Sequence, residues 1–116
     1  MYMESEITLS FAKIMISKKS LGDDILITLE GGERPHIGTV VLAVPRLSLT
    51  GDKSMSATSS VLNVTGHKDE TICRMIAEKA VKKYGVNVVC TGGFHMDGIS
   101  ADQIEEVISA VRNFEI

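Results

Sequence analysis

The sequence has no tryptophan, two cysteines, two prolines and five tyrosines and phenylalanines together, and it contains no long apolar run. A membrane-spanning helix needs about 20 consecutive apolar residues, so we expect no membrane span. Cys73 and Cys90 lie in apolar segments without metal-ligand spacing, which is typical of small buried hydrophobic side chains. The chain therefore lacks the marks of a membrane protein, a disulfide scaffold or a cysteine metal site.

Basic residues are not in excess, since 12 lysines and arginines stand against 15 acidic residues and the formal net charge is −3. Nonspecific binding to nucleic acid depends on phosphate neutralisation by Lys and Arg, so we expect no nucleic-acid partner. The segment from Met1 to Glu6 carries acids where a secretory signal has a basic start and an apolar stretch. We therefore expect a cytoplasmic protein without a membrane partner.

The residues that are present fit one globular unit. Hydrophobic residues make up 44% and charged residues 23% of the 116 positions. A chain of this size can bury a core without help from disulfides or metal. We expect a single domain over residues 1–116.

Apolar residues that alternate with polar ones predict strands. The first strand changes parity near Ala12 or Lys13, as a bulged strand would, and the third is nearly continuous in apolar residues, which favours a central strand buried on both faces and ended by Pro45. A polar, mobile connection is expected over 46–60. The five predicted strands cover 7–16, 25–29, 37–44, 61–64 and 86–91.

Two segments have helical spacing. From Asp69 to Tyr84 the apolar residues recur as on a helix face, acids begin the segment, lysines end it, and Gly85 suits the C-cap. Ser100 and Gln103 form a capping-box pattern at the start of a second helix. The expected fold is α+β, a mixed, mainly antiparallel five-stranded sheet with two helices in the order β-β-β-β-α-β-α.

Glycine and histidine concentrate in three segments, 31–38, 65–69 and 91–98, which hold every histidine of the chain. An antiparallel meander of four strands followed by a helical crossover brings all three to one end of the sheet. Strand ends that lead into helices are common ligand sites. We therefore expect one binding site there, although turn glycines often serve only to reach positive φ and loop histidines are often merely solvated.

The chemistry of these segments suits an anion. Free N–H groups at the start of the first helix, together with Lys68 and Arg34, would hold a phosphate or carboxylate. Phe94 would either stack on a planar ligand or plug the end of the sheet. The sequence contains neither a P-loop nor a dinucleotide fingerprint, and no serine lies in a nucleophile-elbow pattern.

Two other functions remain open. A metal-dependent enzyme would use His36, His67 and His95 with Asp69 or Asp97 as ligands, although no HxH or HExxH pair is present. An assembly or scaffold protein would act through its sheet edge or its helices and would not need the histidines.

At these same segments the chain resembles a family of small prenylated-flavin chaperones, the accessory component of gallate-type decarboxylases, whose fold is similar to that of proteasome assembly chaperones. The resemblance runs from about the second strand to the last helix and rests on the Arg34–Gly38 core within 32–38, on 66–69 and on 95–97. It implies a non-catalytic protein that binds prenylated FMN or FMN and helps supply it to a decarboxylase apoenzyme. It also implies a sheet covered by helices and a homo-oligomer. The candidate cofactor-binding residues are Gly32, Arg34, His36, Gly66, His67, Lys68, Gly92, Gly93, Phe94 and His95, with no catalytic residue and no metal ligand among them.

Overall fold

The computed structural model describes residues 1–49, 51–52, 54–64 and 67–116, except for the side chain of His67. Over these residues the chain forms six strands and two helices. They are β1 (Tyr2–Thr8), β2 (Lys13–Leu21), β3 (Asp24–Gly32), β4 (Thr39–Leu47), β5 (Met55–Asn63), α1 (His67–Tyr84), β6 (Val88–His95) and α2 (Ala101–Arg112).

The six strands form one mixed sheet in the order β1-β2-β3-β6-β4-β5. The first three strands are an antiparallel meander, and β6 lies between β3 and β4, parallel to β3 and antiparallel to β4. The predicted α+β class and the mainly antiparallel sheet are confirmed. The prediction was wrong in the number of strands, because the chain has six strands and not five, and the first helix follows five strands and not four. The meander also stops at β3, because β6 lies beside it.

The predicted first strand is a hairpin of β1 and β2. The chain turns between them, where the Leu9 amide donates to the Ala12 carbonyl at 2.9 Å, and Ile7 lies opposite Ile14. The change of apolar parity therefore marks a reversal of the chain and not a bulge. A parity change alone does not distinguish the two cases.

β4 and β5 are longer than predicted. β4 continues through Pro45, which pairs with Ala57, whereas β6 accompanies β4 only as far as Ala43. Pro45 is tolerated because it lies beyond β6, where one side of β4 has no neighbouring strand. Residues 55–60 of the expected polar connection therefore belong to β5 and residues 46–47 to β4, and the Ser and Thr residues of β5 lie at an edge of the sheet.

One face of the sheet carries the core. Ile27, Leu29, Val41 and Cys90 are fully buried on this face, and α1 packs across β4, β5 and β6 there. The opposite face, here called the outer face, is not covered by either helix. β4 alternates between buried Val41 and Ala43 and the partly exposed outer-face residue Leu42, so the expectation of a strand buried on both faces was wrong.

The helix ends follow the sequence signals. Ser100 caps α2: its side chain accepts from the Gln103 amide at 3.1 Å, and the Ser100 amide donates to the Gln103 side chain at 2.9 Å. Gly85 follows α1 with φ 69°, a left-handed conformation that suits glycine at a C-cap. Within the described residues, neither helix is long and apolar enough to cross a membrane.

Candidate functional site

The termini of three strands meet at one end of the sheet, as predicted. Since β3 and β6 are parallel and β4 is antiparallel to β6, the ends of β3 and β6 lie beside the start of β4. The loop 33–38 is held to β6 by backbone hydrogen bonds from Glu33 to His95 and from Gly38 to Gly92, at 2.7 and 2.8 Å. Gly32 and His95 are register partners. The first and third predicted segments therefore form one continuous surface.

The first turn of α1 closes this surface through Asp69. Its carboxylate is buried, with Oδ1 accepting from the Phe94 amide at 2.8 Å and Oδ2 lying 3.2 Å from His36 Nε2. The other ring nitrogen of His36 lies 3.2 Å from the Arg34 carbonyl oxygen. Both neighbours accept hydrogen bonds, so a His36 ring that carries a hydrogen on each nitrogen, the cationic form, donates to both.

Two glycines make this contact sterically possible. A Cβ at Gly93 would lie 2.7 Å from the His36 imidazole, and a Cβ at Gly38 would overlap the Asp69 carboxylate. Real side chains do not approach so closely, so any larger residue would displace the His36–Asp69 pair. Gly93 and Gly38 therefore serve the site by leaving room for it.

A second polar group lies at the mouth of the site. Arg34 Nη2 is 3.1 Å from His95 Nε2 and 3.6 Å from the Asp97 carboxylate, and His95 Nε2 is 2.8 Å from the same carboxylate oxygen. The hydrogen bond from His95 and the nearby Arg34 charge lower the pKa of Asp97. All three side chains are substantially exposed to solvent. The rings of His36 and His95 are 6.2 Å apart, so the two polar groups are neighbours.

Lys68 and Phe94 lie at the same end of the sheet, on the side of the core. Lys68 Nζ is 5.5 Å from the Phe94 ring centroid, at a distance where a cation is attracted to an aromatic face. The Phe94 ring is 1% exposed and packs edge-on against Phe11 with centroids 6.0 Å apart. The Phe94 ring therefore closes the end of the core, which is one of its two predicted roles. Stacking on a ligand, the other role, would require the ring to become exposed.

Two concave regions adjoin the polar groups. One of about 370 Å³ is lined by Arg34, Pro35, His36 and His95. The other, of about 260 Å³, lies between the loop and the outer face, and its lining is mostly apolar. Both are bounded by Pro35 and His36, so they adjoin. The second region is lined by Thr28, Leu29, Glu30, Pro35, His36, Ile37, Thr91 and Gly92.

The structure thus brings together five of the predicted residues, Gly32, Arg34, His36, Gly93 and His95. Gly92 lines the apolar region, and Lys68 lies on the core side of the sheet near Phe94. Gly66 and the side chain of His67 lie outside the described residues. Sequence reasoning missed Thr28 and Thr91, which are ordinary strand residues without a local signal. Their place at the site depends on β3 and β6 being neighbours, which the expected meander did not contain.

Metal ligands do not converge among the described side chains, where no group of three or more His, Cys, Asp or Glu residues could hold one ion. His36 and His95 each pair with a separate carboxylate, Asp69 and Asp97. The described part of the site therefore combines the exposed Arg34 and His95 side chains with an adjoining, mostly apolar recess.

The fold has a known counterpart among chaperones. A chain of the crystal structure of a chaperone complex for yeast 20S proteasome assembly superposes with a TM-score of 0.51, covering 97% of each chain at 9% sequence identity. At this identity the likeness concerns the fold alone. No curated protein sequence matches the chain.

The family is shown by the sequence itself. The model of the prenylated flavin chaperone LpdD-like domain matches residues 10–114. The chain belongs to this family, as the glycine- and histidine-bearing segments led us to expect. The match includes both halves of the site, the loop after β3 and the end of β6.

Proposed function

We propose that this protein binds flavin mononucleotide, in its prenylated form or unmodified, and assists the maturation of a decarboxylase. The flavin would bind at the end of the sheet where β3 and β6 end and β4 begins. The observation that carries the proposal is the pairing of exposed cationic and hydrogen-bonding groups with an adjoining apolar recess, in a member of a flavin-chaperone family. An FMN-like ligand has the same two parts, an anionic phosphate and a planar ring system.

The phosphate end would lie against Arg34 and His95. Arg34 presents a planar set of donors that matches phosphate oxygens, and its guanidinium is largely exposed. The first turn of α1 would contribute little to phosphate binding, because the acids Asp69 and Glu70 lie there and offset the positive end of the helix. Lys68, which lies on the core side of the sheet near Phe94, adds a positive charge.

The ring end would enter the apolar region between the loop and the outer face. Pro35 and Ile37 form one wall, and Thr28 and Thr91 of neighbouring strands form the other. Ligand sites in proteins are usually apolar recesses with a few well-placed polar groups. His36 lies at the boundary of both regions, where its ring would meet the polar edge of the flavin.

A decarboxylase apoenzyme as client is the part of the proposal that depends on the family resemblance. A chaperone of this kind needs a ligand held by exposed groups, because the ligand has to leave for the client. The Arg34, His95 and Asp97 side chains are exposed, which suits release. The homo-oligomer that the resemblance implies belongs to the same proposal.

The experiment is co-expression with a flavin prenyltransferase under anaerobic conditions, followed by absorbance and mass analysis of the purified protein. We expect a bound modified flavin that is lost when Arg34 and His95 are both replaced by alanine. Calorimetry with FMN measures the affinity of the unmodified ligand. A correctly folded protein that carries no flavin after co-expression and shows no FMN heat would refute the proposal.

A further inference from the structure

A groove of about 350 Å³ lies between the two helices. α1 contributes four of its lining residues at the spacing i, i+3, i+4 and i+7, which places them on one face of the helix. α2 contributes the fifth. The lining residues are Met75, Glu78, Lys79, Lys82 and Arg112.

The two helices run in the same general direction. β5 is parallel to β6, because both are antiparallel to β4, and α1 follows β5 as α2 follows β6. Lys79 Nζ donates to the Arg112 and Phe114 carbonyl oxygens at 2.6 and 2.7 Å, so the carboxyl-terminal parts of the helices lie side by side. The last turns carry Lys82 on α1 and Arg112 on α2, and cations therefore collect at this end of the helix layer.

Most cations of this layer already have partners. Arg74 pairs with two glutamates of its own helix, Lys79 is bonded to carbonyls at the end of α2, and Lys83 donates to a carbonyl oxygen that follows α2. The side chains of Lys82 and Arg112 are exposed and have no acidic or hydrogen-bonding partner among the described residues. These two charges are therefore available to another molecule.

The remaining lining residues give the groove an apolar floor and no compensating charge. Met75 is partly buried and packs against the core, and the methylene stems of the lysines extend its apolar surface. Glu78 accepts a hydrogen bond from Ser59 and pairs with Arg74, so its carboxylate is directed to those partners. The groove thus combines an apolar floor with two uncompensated cations.

We propose that this groove binds a short acidic segment of a partner protein, with carboxylates on Lys82 and Arg112 and an apolar side chain on Met75. Charge complementarity selects this occupant, since carboxylates are the natural partners of ammonium and guanidinium groups at protein interfaces. A nucleic acid would leave the apolar floor unused. The net charge of −3 on the chain also repels a long polyanion.

The proposal does not rest on flavin binding. α1 packs on the core face of the sheet, whereas the apolar recess of the candidate ligand site lies on the outer face. The sheet therefore separates the groove from the recess. A protein segment in the groove and a ligand in the recess would not compete, so the chain could hold both at once.

The test measures the fluorescence anisotropy of a labelled synthetic peptide in which glutamates flank a leucine. Lys82→Gln with Arg112→Gln removes both charges from the groove. Lys13→Gln with Lys19→Gln is the charge-matched control on β2, where both lysines are exposed. A second peptide has glutamine in place of glutamate, a third has glycine in place of leucine, and a labelled single-stranded oligonucleotide serves as the polyanion. Circular dichroism verifies that each variant is folded.

We expect the acidic peptide to bind the unmodified chain, with a dissociation constant at least about tenfold higher in the Lys82→Gln/Arg112→Gln variant and within about twofold in the control. Both altered peptides should bind more weakly, and the affinity should fall as salt rises. No binding of the acidic peptide, an equal loss in the control, or tighter binding of the oligonucleotide through the same two residues would overturn the proposal. The measurements contain no flavin, so their outcome is independent of ligand binding.

Discussion

The imidazole of His36 lies 3.2 Å from the buried carboxylate of Asp69, across a space that two glycines keep free. This contact joins the loop after β3 to the first turn of α1. Since the same carboxylate accepts the Phe94 amide from β6, Asp69 connects the three elements that form the candidate site.

Replacing Asp69 with alanine should destabilise the fold. The change leaves the buried Phe94 amide without its acceptor and removes the partner of His36, which corresponds to about 2 to 3 kcal/mol for hydrogen bonds to a charged group. Urea denaturation measures the free energy of unfolding. Asp102→Ala is the control, since Asp102 also lies in the first turn of a helix but is exposed. Equal losses for the two variants would contradict the structural role of Asp69.

Replacing Gly93 with alanine should displace His36, because the new methyl group would lie 2.7 Å from the ring. Overpacking of this kind costs about 1 to 3 kcal/mol. The cost should fall when His36 is replaced by alanine in the same chain, since the ring supplies the nearest atoms. A double-mutant cycle on the free energy of unfolding measures this coupling. A cost that stays the same in both backgrounds would show that the glycine serves another purpose.

Arg34→Ala should weaken FMN binding by about 1.5 to 3 kcal/mol, the scale of a hydrogen bond to a charged group. Lys68→Ala should weaken it less, because Lys68 lies on the core side of the sheet and lines neither concave region. Calorimetry measures the affinity. Arg46→Ala is a matched control, because Arg46 is bonded to Thr58 on the outer face away from the site. If Arg46→Ala weakens binding as much as Arg34→Ala, the phosphate does not lie where we propose.

Asp97→Asn should strengthen binding of a phosphate ligand. Asp97 now accepts from His95 and pairs with Arg34, so its carboxylate competes with the phosphate for both groups. The asparagine removes the competing charge at nearly constant size. Titration calorimetry at several salt concentrations should show a higher affinity than in the unmodified chain, with a difference that shrinks as salt rises. A lower affinity would mean that Asp97 itself contacts the ligand.

Glu106 should make folding stability depend on pH. Hydrogen bonds from the Ser10 hydroxyl and amide, both at 2.6 Å, hold the pKa of this carboxyl below its ordinary value. A group whose pKa is depressed by folding stabilises the folded state above its unfolded pKa, and this contribution is lost as the pH falls through the folded pKa. An NMR titration of Ser10→Ala should show the Glu106 pKa moving upward. An unchanged midpoint would refute the assignment to Ser10.

Ser100→Ala should lower the free energy of unfolding by about 1 kcal/mol, the usual value of a helix N-cap, and leave FMN binding unchanged. Ser100 forms its capping hydrogen bonds with Gln103 and does not line either concave region. Denaturation and calorimetry on the same variant separate the two effects. A comparable loss of binding would mean that α2 takes part in the site.

Local patterns predicted the parts of this protein whose causes are local. The capping box at Ser100, the helix ending before Gly85 and the buried stripe of α1 depend on neighbours within a few residues, so the sequence contains their full signal. The location of Arg34, His36 and His95 at one end of the sheet was also predicted, because it follows from the alternating direction of successive strands. Their direct contact depends on β3 and β6 being neighbours.

The patterns failed where a distant partner decides. The parity change after Ile7 fits both a bulge and a hairpin, and Pro45 usually ends a strand but is tolerated where β6 stops short of it. The bare outer face could not be foreseen either, since alternation shows that a strand has two faces without showing what covers each of them.

By itself, the sequence determined the end of α1, the start of α2, the α+β class and the family, because each of these is recorded in short stretches of residues. The tertiary structure alone decided that β6 lies between β3 and β4, and with it the apolar recess beside Thr28 and Thr91 and the burial of Phe94. The physical reason is that strand pairing and burial are energies of contact between residues far apart in the chain, and such energies exist only once the sheet has formed.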